Sequence, residues 1–598
     1  MIRLFCFLAI FNSGFASDIT STVFGSLRDG IPAAFGDFNS DELTDVFVLR
    51  NNSKTIEILL ATNHEPLLSP GDKMRCHFKH KITSVVPGDF DGDALMDVMV
   101  TCKEHDDNKL GVHVLWGGRQ YLNCSNEDPL FYTHDQPLAI DYNQDMIVDL
   151  FGLDFNRNRV FWIFDNSRTK PKVVNLPAYA DTYGGTMHYP MRSPHSNAFV
   201  DLNHDFTPDL FITAETKFEV WYGVDTDTEP RFMYNHSIQL PVGSLNGHVG
   251  QTLFLDVELT GKLDLLVPIC FDDNCVNSTI LVYKNNRWHN LQVNFKDENN
   301  VVWGFLRPED NDKPYKSTIT LHGGDFNMDG YPDILATLNP VSPKSYQPQS
   351  FLLENIPCTS NCGAFDRTYT VRWKGLLPFT NGTIMSVFYD FYQDGILDVI
   401  LVQENPVNKS TQVAAFRNTL DYDANFIKIM VLTGLKNDED SSTIGPLGDK
   451  RTYGTNLPGP RIKYYTTTQE GQQRSGVCAQ LPQSAYFALH LPYSIFGLGR
   501  TPNFVDSLTV GLSSRSRSWT QIIPNSQMVI IPWPPAEPLK WKNQLFVTPS
   551  KLILLSVAAL TGTCVLIALI IVILHLKERR EDKLEKQQES HRFHFDAM

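Results

Sequence analysis

Seven short segments concentrate oxygen side chains at a spacing that suits a hard cation. In the first, Asp37-Phe38-Asn39-Ser40-Asp41-Glu42-Leu43-Thr44-Asp45, such side chains stand at positions 1, 3, 5 and 9. The set returns as Asp89, Asp91, Asp93 and Asp97; as Asp141, Asn143, Asp145 and Asp149; as Asp201, Asn203, Asp205 and Asp209; and as Asp325, Asn327, Asp329 and Asp333. A backbone carbonyl is expected at position 7, from Leu43, Leu95, Ile147, Thr207 and Tyr331. Two copies are altered. Asp390, Asp394 and Asp398 keep the frame but Tyr392 takes position 3, while the copy from Asp256 to Asp264 has Glu258 at position 3 and Thr260 at position 5. Calcium takes about six to eight oxygen ligands, whereas magnesium prefers compact octahedral sites that retain water. Carboxylates crowded together repel unless a cation sits between them. The expectation is several structural Ca2+ ions, one per intact loop, with weaker binding at Asp390 and none at Asp256. Gly92, Gly330 and Gly395 serve the sharp turns, where φ > 0 costs glycine little. No Glu follows at position 12 and the flanks read as strands, so the loops are not EF-hands.

Numbered 1 to 7 along the chain, the loops recur every 52 to 69 residues, a period that marks a repeat architecture. Each follows a short apolar stretch such as Thr83–Val86 or Asn197–Val200, and runs directly into another such as Asp45–Leu49 or Asp398–Val402. A third run comes later in each unit, for example Ile56–Leu60, Val112–Trp116 and Val413–Phe416. Short β-branched and aromatic runs bounded by turns are strand signals. The fold class is therefore all-β, with a seven-bladed propeller over residues 17–420. Ile19–Phe24 is expected to pair with the last blade and close the ring.

The frames Gly36-Asp37-Phe38-Asn39-Ser40-Asp41, Gly88-Asp89-Phe90-Asp91-Gly92-Asp93 and Gly324-Asp325-Phe326-Asn327-Met328-Asp329-Gly330 resemble FG-GAP repeats, the calcium-bearing blades of integrin α propellers. The arrangement of the whole chain resembles the T-cell immunomodulatory protein (linkin) family. That resemblance implies cell adhesion in support of tissue integrity, modulation of T cells in vertebrates, and RuvB-like ATPases and tubulin as cytosolic partners. The tail begins Lys577-Glu578-Arg579-Arg580 and lacks the integrin Gly-Phe-Phe-Lys-Arg signature, which argues against an integrin β partner.

After the propeller, residues 424–535 lack the loop and read as a small β-sandwich-like domain. Its expected strands are Phe426–Leu432, Arg461–Tyr465, Ser475–Leu481, Tyr486–Leu491, Val505–Gly511, Ser518–Ile523 and Gln527–Pro532. Within it, Phe496-Gly497-Leu498-Gly499 and Val505-Asp506-Ser507-Leu508-Thr509-Val510 are similar to an ASPIC/UnbV-type module. Lys436–Arg451 reads as a mobile polar loop, and 536–551 as a stiff stalk whose Trp541, with Trp533, could meet lipid headgroups. The uncharged run Leu552–Leu574 is long enough to span a bilayer and predicts a transmembrane helix over 552–576. Residues 1–16 read as a secretory signal cut after Ala16. Together they predict a type I plasma-membrane protein, its N-terminus extracellular and residues 577–598 cytoplasmic. Of ten cysteines, Cys6 leaves with the signal and Cys564 lies in the membrane. Cys270/Cys275 and Cys358/Cys362 are close enough for local disulfide bonds, while pairing among Cys76, Cys102, Cys124 and Cys478 stays open. Acceptor triplets at Asn51, Asn123, Asn235, Asn277, Asn381 and Asn408 all lie outside the membrane, as in a glycoprotein.

A net charge of −16 excludes nucleic acid as a partner. No Gly-x-Ser-x-Gly, His-Glu-x-x-His or phosphate loop is present, so no catalytic residues are expected. The expected function is adhesion through an extracellular protein ligand or neighbouring-cell receptor. The alternative is a glycan-binding, lectin-like propeller in which Trp116, Trp221 and Trp303 stack on sugars.

Overall fold

Apolar runs of four to seven residues, each entered from an aspartate loop, set the repeating unit. The computed structural model describes residues 16–547 and 551–595, apart from 105–108, 125–127, 181–185, 188, 227, 310–312, 342–346, 360–361, 374–380, 421–423, 437–452, 469–470, 483–484 and 501–503. The expected signal sequence, except Ala16, and the expected polar loop, except Lys436, lie outside the described residues. Loop 1 joins Ile31–Gly36 to Asp45–Arg50, and Thr55–Ala61 and Leu68–His77 complete an antiparallel four-stranded sheet. Six further sheets follow the same plan, the fifth and sixth with one additional short strand, and their second strands begin at Asp97, Asp149, Asp209, Asp264, Asp333 and Asp398. In every case the ninth loop residue is the first residue of the second strand.

The sheets pack in order. Sheets 2 and 3 meet through Val86, Met99 and Val148, sheets 3 and 4 through Phe161 and Phe199, and sheets 4 and 5 through Phe211 and Phe254. Sheets 5 and 6 share Val282 and Ile334, sheets 6 and 7 share Leu335 and Val399, and Ile400 of sheet 7 joins Val46 and Val98 of sheets 1 and 2. The packing order closes on itself. Burying one such side chain stabilises the ring by about 1.5–3 kcal/mol.

The closing strand differs from the expected one. Ala16–Asp18, not Ile19–Phe24, pairs antiparallel with Thr411–Asn418. Thr20–Phe24 forms a helical turn instead, because the Asp18 carboxylate accepts the Thr20 N–H at 2.9 Å and Gly25, at φ +57°, ends the turn. Val23 and Phe24 are buried by it. Cleavage after Ala16 would leave Ser17 and Asp18 of that strand.

Residues 425–547 form two four-stranded sheets. One contains Asn425–Val431, Ser494–Gly499, Ser526–Ile531 and Lys542–Val547, and the other Arg461–Thr467, Gln473–Ala479, Val505–Leu512 and Arg515–Ile522. Ile427, Ile462, Tyr464, Val510 and Ile530 fill the space between them. The expected strand Tyr486–Leu491 is not one. Tyr486, Phe487 and Leu489 adopt left-handed backbone at φ +58°, +57° and +50°, and the segment inserts among the propeller sheets. Gln136 Oε1 accepts the Tyr486 N–H at 2.7 Å, Gln251 Nε2 donates to the Ala485 carbonyl at 3.1 Å, and Phe487 packs on Tyr315. Nor does a stalk begin at 536. Trp541 is 1% exposed, packs with Met146, Leu457 and Leu512, and donates its indole N–H to the Pro534 carbonyl at 3.0 Å. The lectin reading loses two of its platforms: Trp221 and Trp303 are buried, and Trp116 is half-buried beneath Arg168.

Cys270–Cys275 and Cys358–Cys362 are bonded, and Cys76 pairs with Cys124, leaving Cys102 and Cys478 free. Residues up to Phe546 form one compact unit and Val547 onward a second. The second contains one helix, Lys551–Phe595, long and apolar enough to cross a membrane. It continues through the expected span into the tail.

Candidate divalent-cation loops

All seven loops share one backbone. Position 4 is left-handed in each, from φ +53° at Gln393 to +73° at Gly92 and His204, and so is position 6, from +68° at Ala94 to +96° at Gly330. Gly330 and Gly395 stand at position 6, but Gly92 stands at position 4. Both positions are usually filled by residues with a Cβ, for which this conformation costs about 1–2 kcal/mol each.

The first aspartate holds this backbone in place. In loop 1, Asp37 accepts the N–H groups of Asp41 at 3.0 Å and Glu42 at 2.9 Å. Asp89, Asp141, Asp201, Asp256, Asp325 and Asp390 do the same for position 4 or 5 and position 6 of their loops. The fifth residue turns the loop back. Asp41, Asp93, Asp145, Asp205, Asp329 and Asp394 accept the N–H of Leu43, Leu95, Ile147, Thr207, Tyr331 and Ile396 at 2.7–3.2 Å. At position 3, Asn39, Asn143, Asn203 and Asn327 donate their amide N–H to the fifth carboxylate.

The ninth aspartate has a role that its spacing did not reveal. One oxygen of Asp45 accepts the N–H of Phe38 at 2.8 Å and the other that of Ala61, at the end of the third strand, at 2.8 Å. Asp97, Asp149, Asp209, Asp333 and Asp398 repeat this pair of bonds, reaching Gly117, Phe164, Gly223, Asn355 and Asn418. Asp264 keeps the first bond, to Val257. This residue ties the loop to the sheet whatever else it binds.

Electrostatics leave the loops short of positive charge. Burial, reinforced by the neighbouring carboxylates Asp41, Asp91, Asp145 and Asp329, pushes Asp37, Asp89, Asp141 and Asp325 up to about 8. Asp45, Asp97, Asp149, Asp333 and Asp398 are raised well above the carboxylate range, again chiefly by burial. Asp89, Asp91 and Asp97 each bring an oxygen within 4.8 Å of the others, and all three are buried. In loop 1 the Asn39 Oδ1 atom is buried with no hydrogen-bond partner among the described residues. An oxygen-only donor set with surplus negative charge and an unsatisfied amide oxygen fits a hard divalent cation.

The outer side of loops 4 to 7 faces the sandwich. The first carboxylate of three of them receives a donor from it, Asp201 from Arg461 Nη1, Asp325 from the Gly497 N–H and Asp390 from Lys428 Nζ, each at 3.0 Å, and in loop 5 the Gly261 carbonyl accepts from Arg461 Nη2 at 3.0 Å. Sequence reasoning singled out neither Arg461 nor Lys428. In loop 5 the Glu258 carboxylate pairs with Lys284, and in loop 2 Arg168 bonds Asp91 and Asp93.

Two family models match, an FG-GAP-like repeat over residues 37–100 and "ITFG1, C2 domain" over 452–546. The second covers most of the sandwich, including the segment likened to an ASPIC/UnbV-type module. A lectin structure from Agrocybe aegerita aligns with 65% of this chain and 90% of its own at 10% identity and a TM-score of 0.34, too loose to carry an argument. Protein linkin of Caenorhabditis elegans is 28% identical, covering 95% of each chain. The T-cell immunomodulatory protein of Rattus norvegicus is 38% identical over 97% of this chain and 94% of its own. At that identity and coverage, this chain belongs to the T-cell immunomodulatory protein family.

Proposed function

We propose that the chain is a cell-surface adhesion glycoprotein whose propeller, stiffened by calcium in its loops, binds an extracellular protein ligand. Its topology is type I in the plasma membrane, with the tail as the contact for cytosolic proteins. The names of its relatives support an immunomodulatory or cell-linking role. One observation carries the reading: the sandwich occupies the loop rim of sheets 4 to 7. Successive turns of an antiparallel sheet alternate ends, so the turns between second and third strands lie at the opposite end, away from the two sandwich sheets. These include 51–54, 154–158 and 405–410, where Phe155 and Val407 are 52% and 90% exposed. Rigid sheets presenting exposed loops are the usual basis of recognition.

The test is aggregation of cells displaying the full-length chain. Removing calcium, or substituting Phe155→Asp and Val407→Asp together, is expected to reduce aggregation, and the double substitution should leave the melting temperature unchanged. Aggregation and melting temperature both indifferent to calcium would overturn the metal assignment. Aggregation indifferent to the substitutions would overturn the assignment of the face.

A further inference from the structure

We propose that the sandwich and one neighbouring lysine supply the counter-charge for loops 4, 5 and 7, so that divalent ions occupy loops 1, 2, 3 and 6 alone. The proposal rests on the calcium reading above and assigns which copies carry it out. Loop 4 decides the matter, because by residue type it is complete: Asp201, Asn203, Asp205 and Asp209. Yet Asp201 already accepts N–H groups from His204 and Phe206, and Arg461 adds a third donor, with side chains only 4% and 1% exposed. A divalent ion ligated by the same carboxylate would lie beside a buried guanidinium. Loops 1, 3 and 6 carry the same three carboxylates, and among the described residues no basic side chain bonds their first aspartates.

Loops 5 and 7 show the same replacement. Lys428, 1% exposed, binds Asp390 and Gln393 in loop 7, where Tyr392 has removed the third oxygen. Lys284 pairs with Glu258 in loop 5. Loop 2 differs in carrying four carboxylates, Asp89, Asp91, Asp93 and Asp97, against an Arg168 that is 48% exposed. One half-exposed guanidinium leaves that site negative.

The experiment counts calcium bound to the full-length chain by native mass spectrometry from detergent micelles. Four ions are expected. Asp145→Asn in loop 3 should lower the count to three, whereas Asp205→Asn, at the equivalent exposed position of loop 4, should leave four. Arg461→Gln should raise the count to five. Because that substitution could disturb folding, the pair of aspartate variants decides independently. Five ions in the unaltered chain, falling to four with Asp205→Asn, would overturn the inference while the calcium reading stands. No ions at all would overturn both.

Discussion

Replacing Lys428 with methionine tests whether buried charge pairs hold the sandwich to the propeller. The ammonium lies on the strand Asn425–Val431, 3.0 Å from Asp390 Oδ2, 2.5 Å from Gln393 Oε1 and 4.0 Å above the Tyr493 ring. Lysine and aspartate side chains are 1% and 0% exposed, so neither has water as an alternative partner. Methionine retains the packing of the stem and removes only the charge, stranding the Asp390 carboxylate. Breaking a buried pair from one side costs about 3–5 kcal/mol. With an unfolding entropy of about 2.1 cal/mol/K per residue and about 475 described residues in the first unit, the melting temperature should fall by about 3–5 °C. Adding Asp390→Asn to Lys428→Met should recover more than half of the loss, since a neutral pair leaves no stranded charge. The assay is tryptophan fluorescence during thermal unfolding of the full chain in detergent. A fall of less than about 1 °C, or a double variant no better than the single, would show that the pair does not hold the domains together.

Metal removal and pH should act jointly. Asp37, Asp89, Asp141 and Asp325 are raised from 3.8 to about 8 without metal, so the stability they contribute is full below 3.8 and is lost as pH rises towards 8. Calcium needs these carboxylates ionised, and the rise in melting temperature it produces in metal-stripped protein should be larger at about pH 8 than at about pH 5. An equal rise at both would refute the coupling. Trp541→Ala opens a cavity beside Met146 and should cost about 3–5 kcal/mol in chemical denaturation, whereas a stalk residue would cost almost nothing. Burial pushes the Cys102 thiol up to about 12, so alkylation near pH 8, read by peptide mass spectrometry, should mark Cys102 only after unfolding.

The loops and the first three strands of each unit were legible because their signals are local: carboxylate spacing, then continuous apolar runs. The fourth strands were not, since Phe232–Gln239 or Arg367–Val371 lies half in solvent and mixes polar with apolar residues. Ring closure by Ala16–Asp18 was displaced onto the apolar Ile19–Phe24, which a short helix buries instead. Trp541 read as a stalk residue because its core partners, Met146 and Leu457, come from distant parts of the chain. Lys428 and Arg461 look like any surface basic residue until the fold brings them to aspartates 38 and 260 residues away.

That last contrast explains which loop positions vary among the copies. The ninth aspartate is present in all seven, altered loops included, and it bonds backbone N–H groups in every one. Losing it would strand a buried donor at position 2 with or without an ion, a cost of about 1–3 kcal/mol. The first aspartate likewise accepts the N–H of a left-handed sixth residue in each loop. Positions 3 and 5 carry no such obligation to the sheet, and the changes fall there: Glu258, Thr260 and Tyr392. The first and ninth carboxylates therefore belong to the fold as much as to any ion. Oxygens at positions 3 and 5, weighed against the nearest buried cation, distinguish a loop that needs a metal from one that has its counter-charge built in.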